Sequence, residues 1–261
     1  MSTIIGNPIM LGGGSGITIP TIGKDFTWTG GDGTYQVLDD GGGNWRIKFL
    51  TSGTFTPMED MVIDAFLVGG GGGGGQNNST YKLSSGGGGG YTATQLNIAL
   101  TSKTSYTIVI GAGGAPSTTY ATGNGGKTTA FSQTADGGKE GIRSKGGIAV
   151  TANGGYGGSG GGDCVQSDKI HAYDGQSDGA GGTDSGNGQG TTTREFGEST
   201  GALYAGGGGA YSYSGEKGNG GAGGGANGGE SAVDNTGGGG GGGGYGGSGI
   251  VVIRKHKEAA A

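Results

Sequence analysis

Between Trp45 and Ile110 the large apolar residues fall into short alternating runs. Trp45, Ile47 and Phe49 alternate with Arg46 and Lys48, a period of two that buries one face of a strand. Met61 to Val68 (MVIDAFLV) is β-rich and bounded by Pro57 before it and Gly69 after it, as a core strand is. Leu96, Ile98 and Leu100 alternate, as do Tyr106, Ile108 and Ile110, and the polar TSKT at 101–104 between them predicts a hairpin turn and hence a β-meander. One further apolar run, Ile250 to Ile253, stands alone near the other end. It needs partners, and the available sheet is written early in the chain, so the residues between are expected to form a long insertion into one sheet. No helical period is present.

The insertion lacks oily residues. Of 39 Leu, Ile, Val and Phe residues, 26 lie in 1–110, four in 250–253 and nine in 111–249, so the middle must be held by something other than a conventional core. Glycine fills it, with 76 of 261 residues against a usual share of about 7 per cent. Pure runs stand at Gly69–Gly75, Gly86–Gly90, Gly206–Gly209 and Gly237–Gly244. An extended helix of three residues per turn makes no hydrogen bonds within itself, so its donors and acceptors must pair with neighbouring rods. Without Cβ atoms such rods can pack closely, and because ordering each glycine is entropically costly, only a bundle is expected to hold. The segments between rods become loops at its ends: Gln76–Ser85, Asp163–Asp184, Thr191–Ala205 and Ala210–Lys217.

Charge and composition narrow the function classes. A net charge of −5 supplies no positive field for phosphates, so neither nucleic acid nor an anionic membrane surface is expected as a partner. Four prolines and the absence of a strict three-residue glycine period exclude collagen. One cysteine, Cys164, allows no internal disulfide. No apolar stretch approaches 18 residues and the opening MSTIIGNPIM lacks a basic region followed by a long apolar one, so neither membrane insertion nor a secretory signal is expected.

An ordered series of motifs, AFLVGGGGGGG at 65–75, then GGGGGYTATQLNI, SYTIVIGAGG, NGGKTTAF and GGGGGGGGYGGSGIVVIRK at 237–255, resembles the glycine-rich domain of bacteriophage and prophage tail proteins. It is similar in style to the polyglycine-rich receptor-binding adhesins of T-even-type tail fibres. The resemblance spans about 45–255, and the opening IGNPIMLGGG also resembles the N-termini of some tail proteins. It implies a polyglycine-II bundle docked on a β-sandwich, loops at the far end that read the host surface, and an N-terminal segment that fixes the module to the virion. A β-sandwich joined to polyglycine helices also resembles the glycine-rich extracellular region of anaplastic lymphoma kinase, so the architecture alone does not dictate function.

Motifs for chemistry are weak. ATGNGGKT at 121–128 fits a loose phosphate-loop pattern around Lys127, but TTAFSQTADGG cannot supply the helix that must follow, and Thr128–Phe131 reads as a short strand. Gly244, Gly246 and Gly249 form a GxGxxG with a strand behind it, and Asn77 and Asn78 lie in glycosylation sequons without a secretory route. Asp163, Asp168, Asp174, Asp178 and Asp184 fit no calcium loop and read as solvated, while His171 and His256 have no zinc spacing. With no acid–base pair or nucleophile elbow, no catalytic residue, metal or cofactor is expected.

Aromatics are the most informative side chains. Tyr in loops gives contact area with few rotatable bonds and a hydroxyl at its tip, suited to sugar or protein recognition; the competing role is to cap rod ends. The candidate receptor-binding residues are Tyr81, Lys82, His171, Tyr173, Arg194, Phe196, Tyr204, Tyr211 and Tyr213. Tyr91 and Tyr245, each beside a glycine run, are expected to be structural plugs, and Trp28 and Trp45 core.

The sequence thus predicts a mainly β protein with no significant α-helix: a β-sandwich carrying an inserted bundle of polyglycine-II helices. Residues 1–44 form the virion-attachment segment, 45–110 with 245–258 the sandwich, and 111–244 the bundle, joined by runs 69–75 and 86–90. The expected function is a non-enzymatic tail adhesin in the virion, at the tail tip or fibre. Its partners would be a bacterial cell-surface protein or glycan and, through the N-terminal segment, other phage tail proteins. A structural tail component and an ice-binding polyglycine protein are the alternatives.

Overall fold

The structure, a computed structural model, describes residues 19–76, 83–117, 123–144, 150–166, 169–182 and 186–255. Strands β1 (Phe26–Trp28), β2 (Tyr35–Gly41), β3 (Asn44–Phe49), β4 (Gly53–Pro57) and β5 (Met61–Val68) come first. They are followed by β6 (Leu83–Ser84), β7 (Thr92–Leu100), β8 (Tyr106–Ile108), β9 (Thr128–Ala130) and β10 (Gln133–Ala135). The remainder are β11 (Arg143–Ser144), β12 (Val150–Ala152), β13 (Cys164–Gln166), β14 (Ile170–Ala172), β15 (Tyr211–Ser212) and β16 (Ile250–Lys255). The protein is mainly β, and the described residues include no α-helix.

Two sheets make the base. One has the order β2-β3-β16-β5-β7 and the other β1-β4-β8. The period of two in β3 sends Trp45, Ile47 and Phe49 inward, where they meet Phe26, Trp28 and Phe55 from the facing sheet. Trp28 lies 4.6 Å from Phe49 and Phe26 5.6 Å from Phe55, ring centre to ring centre. Both tryptophans are buried, as expected of core residues. β16 fills the gap between β3 and β5, antiparallel to each, so the late apolar run does return to the early sheet.

Three features differ from the sequence reading. β7 and β8 do not form a hairpin: β7 pairs with β5 and β8 with β4, and the TSKT segment carries the chain from one sheet to the other. The alternation Leu96–Ile98–Leu100 is also broken. Asn97 takes a left-handed φ of 57° and its N–H donates to Asp64 Oδ1 at 2.9 Å, where the register with β5 shifts by a bulge. That extra residue turns Leu96 outward, 52 % exposed, while Leu100 stays buried. Finally, the sequence places residues 26–41 in the N-terminal attachment segment, whereas β1 and β2 are hydrogen-bonded into the two sheets. The division at 44/45 therefore falls within one sheet.

The glycine segments leave the base and return to it repeatedly. Their hydrogen bonds repeat every third residue. Gly69, Gly72 and Gly75 donate to Tyr91, Gly88 and Ser85; Gly70, Gly73 and Gln76 to Gly126, Gly123 and Ser117; Gly71 and Gly74 to Gly247 and Gly244, all at 2.8–3.0 Å. One segment thus addresses three neighbours in turn, which neither a strand nor an α-helix does. Side-chain room follows the same count. A Cβ on Gly71, Gly72 or Gly73 would meet the carbonyl oxygens of Gly238, Lys139 and Ala115 at 1.9, 2.0 and 2.0 Å. A segment enclosed on every side must therefore be pure glycine. Peripheral segments carry a side chain at every third position: Asp136, Lys139 and Ile142 on one, Asn153 and Tyr156 on the next, Ala112 and Ala115 on another, all exposed or half-buried.

Candidate functional site

At the level of Gly75, Ser85 and Ser117 the glycine segments give way to short strands. Seven extended residues from Gly69 to Gly75 separate this layer from the sandwich by roughly 20 Å. Here β11, β6 and β15 form one small sheet and β12, β13 and β14 another, around a little apolar cluster of Leu83, Ala152, Cys164 and Ala210. Burial pushes the Cys164 thiol up to about 11.

Four of the candidate residues gather on this layer. His171 ends its ring centre 6.3 Å from that of Tyr173. The Tyr173 carbonyl accepts from Ala210 N–H at 3.0 Å, which sets β15 and Tyr211 alongside. Tyr173 and Tyr213 are exposed, and Tyr211 is half-buried with Lys217 Nζ 5.6 Å from its ring centre. Lys217 was not singled out from the sequence, where it reads as an ordinary loop charge. Tyr81 and Lys82 lie outside the described residues, as do Asn77, Asn78, Asp168, Asp184 and His256.

The other three candidates are elsewhere. The 191–205 loop folds back onto the outer face of the five-stranded sheet, at the sandwich end of the bundle. Phe196 and Tyr204 are 8 % and 5 % exposed, packed on Phe66 beside Ile250 and Val252. Two rings that the sequence assigned to receptor contact are therefore core. Arg254 stacks 4.0 Å above Phe196, and Lys48 Nζ bonds Tyr204 Oη at 2.9 Å. Glu195, 2 % exposed, takes Arg46 Nη1 on Oε2 at 2.8 Å with Lys48 3.8 Å from Oε1. Burial raises the Tyr204 pKa, and the hydrogen bond to Asp40 raises that of Arg46. Arg194 bonds Gly201 O and pairs with Asp178 at 3.4 Å. Asp178 also accepts from Thr192 Oγ1, the chief reason its pKa is lowered.

The expected plugs also separate. Tyr91 is half-buried where its run meets β7, but Tyr245 is 57 % exposed, because it occupies the outward third position of a peripheral segment together with Ser248.

The remaining motifs are structural here. Lys127 is followed by β9, not by a helix, and pairs with Asp136 at 2.8 Å. Asp163 Oδ1 accepts from Gly154 N–H and Asp174 Oδ1 from Asn219 N–H. These carboxylates serve separate backbone donors and do not converge. Among the described residues no three of His, Cys, Asp and Glu come together in a metal-holding group, and no helix is long and apolar enough to cross a membrane.

A family model described as a glycine-rich domain matches residues 50–256. The chain belongs to the glycine-rich domain family. The matched span begins just after β3, runs through β16 and takes in the four long glycine runs, whereas β1, β2 and β3 lie before it although they complete its sheets. Comparison with curated proteins gives no match.

Proposed function

We propose that this glycine-rich domain protein is a non-enzymatic adhesin of a phage or prophage tail, carried in the virion and directed at a bacterial surface protein or glycan. The observation that carries the reading is the gathering of His171, Tyr173, Tyr211 and Tyr213 on one layer held off the sandwich by glycine segments. The three-residue hydrogen-bond repeat supports reading those segments as polyglycine-II rods. Rods locked to several neighbours lose little freedom when the loops they carry touch a receptor, and several copies on one particle add avidity. Attachment to other tail proteins is assigned to the N-terminal segment, of which β1 and β2 pair into the two sheets as edge strands.

The test is binding of fluorescently labelled protein to a panel of intact bacteria, beside a Tyr173→Ala/Tyr213→Ala variant of unchanged thermal stability. Selective binding that the variant loses is the expected result. A folded protein that binds no strain but co-purifies with tail proteins would replace the adhesin by a structural tail component.

A further inference from the structure

On the outer face of the five-stranded sheet, β2, β3 and β16 form the floor of a cleft of about 700 Å³ whose far wall is the 195–202 segment. That volume is typical of small-ligand sites. Its chemistry is unusual for the surface around it. Arg46 holds Asp40 through Nε and Nη2 and Glu195 through Nη1. Arg254 holds Asp64 through Nε and Glu198 through Nη1 while its plane covers Phe196. Lys48 is paired with Glu195, and Lys255 with Glu59 at 3.7 Å.

Each cation of the cleft thus already has a carboxylate, four cations facing five carboxylates, so little net charge is left to draw an ion in. An anionic or cationic ligand would have to break an ion pair to enter. A hydroxyl group would not. A guanidinium has five N–H groups, and among the described residues the bonds above leave both N–H of Arg254 Nη2 and one N–H each on Nη1 and Nη2 of Arg46 without a partner. The partnered carboxylates of Asp40 and Glu198 keep lone pairs beside them. Neighbouring hydroxyls, each able to donate to a carboxylate and accept from a guanidinium, match that alternation, and Leu38 and Ala202 supply apolar surface for C–H groups. Because the ion pairs fix both side chains in advance, little ordering is left for the ligand to induce.

We propose that this cleft binds an uncharged polyhydroxy ligand, a saccharide segment of a cell-surface glycan. The inference rests on the adhesin reading and adds a glycan contact on the sandwich to the receptor contact of the distal layer.

The experiment uses the full chain, immobilised neutral and anionic polysaccharides from bacterial envelopes, and intact cells of the same strains. Ala202→Trp and, separately, Thr200→Trp fill the cleft from exposed positions that make none of the ion pairs; Tyr173→Ala/Tyr213→Ala is the distal comparison. Expected are binding to a neutral polysaccharide that added salt leaves intact and at least a roughly tenfold weakening of it in a Trp variant of unchanged melting temperature, whereas the distal variant loses cell binding and keeps binding to the isolated polysaccharide. Retained polysaccharide binding in both Trp variants, its loss in the distal variant alone, or salt-sensitive binding to anionic polysaccharide only would overturn the cleft assignment. Cell binding without any polysaccharide binding would also overturn it and leave the adhesin reading standing, whereas absence of both would remove the two together.

Discussion

Replacing Gly73 by alanine tests whether hydrogen bonds between glycine segments, not an oily core, hold the insertion. The backbone of Gly73 is not left-handed, so alanine is locally permitted and any penalty is steric. Its Cβ would lie 2.0 Å from Ala115 O and 2.4 Å from Ala115 C, where side chains essentially never come within 3.0 Å. The two segments must part by about 1 Å to reach that limit. Between them run Gly114 N–H to Gly71 O and Ser117 N–H to Gly74 O, both 2.9 Å. Stretched to about 3.9 Å these are no longer hydrogen bonds. Two buried bonds lost with their groups unmet cost about 2–6 kcal/mol, and restriction of the unfolded chain by alanine returns about 0.4–1 kcal/mol. The net expectation is a loss of about 1–5.5 kcal/mol, a large part of the ~5–15 kcal/mol of a typical domain. Urea unfolding followed by far-ultraviolet circular dichroism and by Trp28 and Trp45 fluorescence measures it. Lys139→Ala, on an outward third position, is the comparison and should shift stability by no more than about 0.5 kcal/mol. If Gly73→Ala were as stable as Lys139→Ala, or if alanine scanning of 70–74 alternated with a period of two, the packing argument would be wrong.

Other perturbations probe the loop and the distal layer. Glu195→Ala should cost about 1–3 kcal/mol, because Arg46 is left with Asp40 alone and Lys48 with the Tyr204 hydroxyl alone, and limited proteolysis should then cut within 191–205. Phe196→Ala removes a buried ring and the face on which Arg254 rests, for a loss of about 3 kcal/mol readable in the same urea experiment. Cys164 should resist a thiol reagent until the distal layer opens. Its folded pKa is raised, so the stability tied to the neutral thiol is full below about 9 and lost as pH climbs to about 11, which pH-dependent unfolding curves would register. Asp178 has a lowered pKa, so its contribution is present above the ordinary carboxylate range and fades as acid protonates it; amide exchange at Thr192 and Thr193 should quicken there first, and Asp178→Asn should remove that pH dependence.

The legible parts of the fold were those whose pattern had one physical solution. An isolated apolar run at 250–253 had to join an existing sheet, and an uninterrupted glycine run had to be enclosed, since any Cβ there meets a carbonyl. The β7–β8 connection was not legible because both strands alternate correctly and a polar turn does not state which sheet receives the next strand. Leu96 was misassigned because one bulged residue, Asn97, reverses the parity on which alternation depends. The site was harder. An aromatic residue in a polar loop reads as exposed, and the burial of Phe196 and Tyr204 on Phe66 goes with Glu195 meeting Arg46, 149 positions earlier. That partner lies on the outward face of a strand whose inward face drew attention. Tyr173 and Tyr213 stayed on the surface, where composition alone had put them.

The placement of β16 between β3 and β5 has a temporal meaning. Arg254 and Asp64 are neighbours across strands yet 190 positions apart, an interval of roughly 10–40 s at ribosomal speed. Throughout it the inner edges of β3 and β5 have no partner and are templates for strands of another nascent chain. A third of the residues synthesised meanwhile are glycine, 63 of the 189 between the two, and only nine Leu, Ile, Val or Phe lie in 111–249, so this stretch cannot collapse on a core of its own and bury those edges wrongly. Assembly is therefore gated by translation: the sandwich closes when its last strand emerges, and that closure brings the outgoing and returning ends of the glycine insertion to a common base.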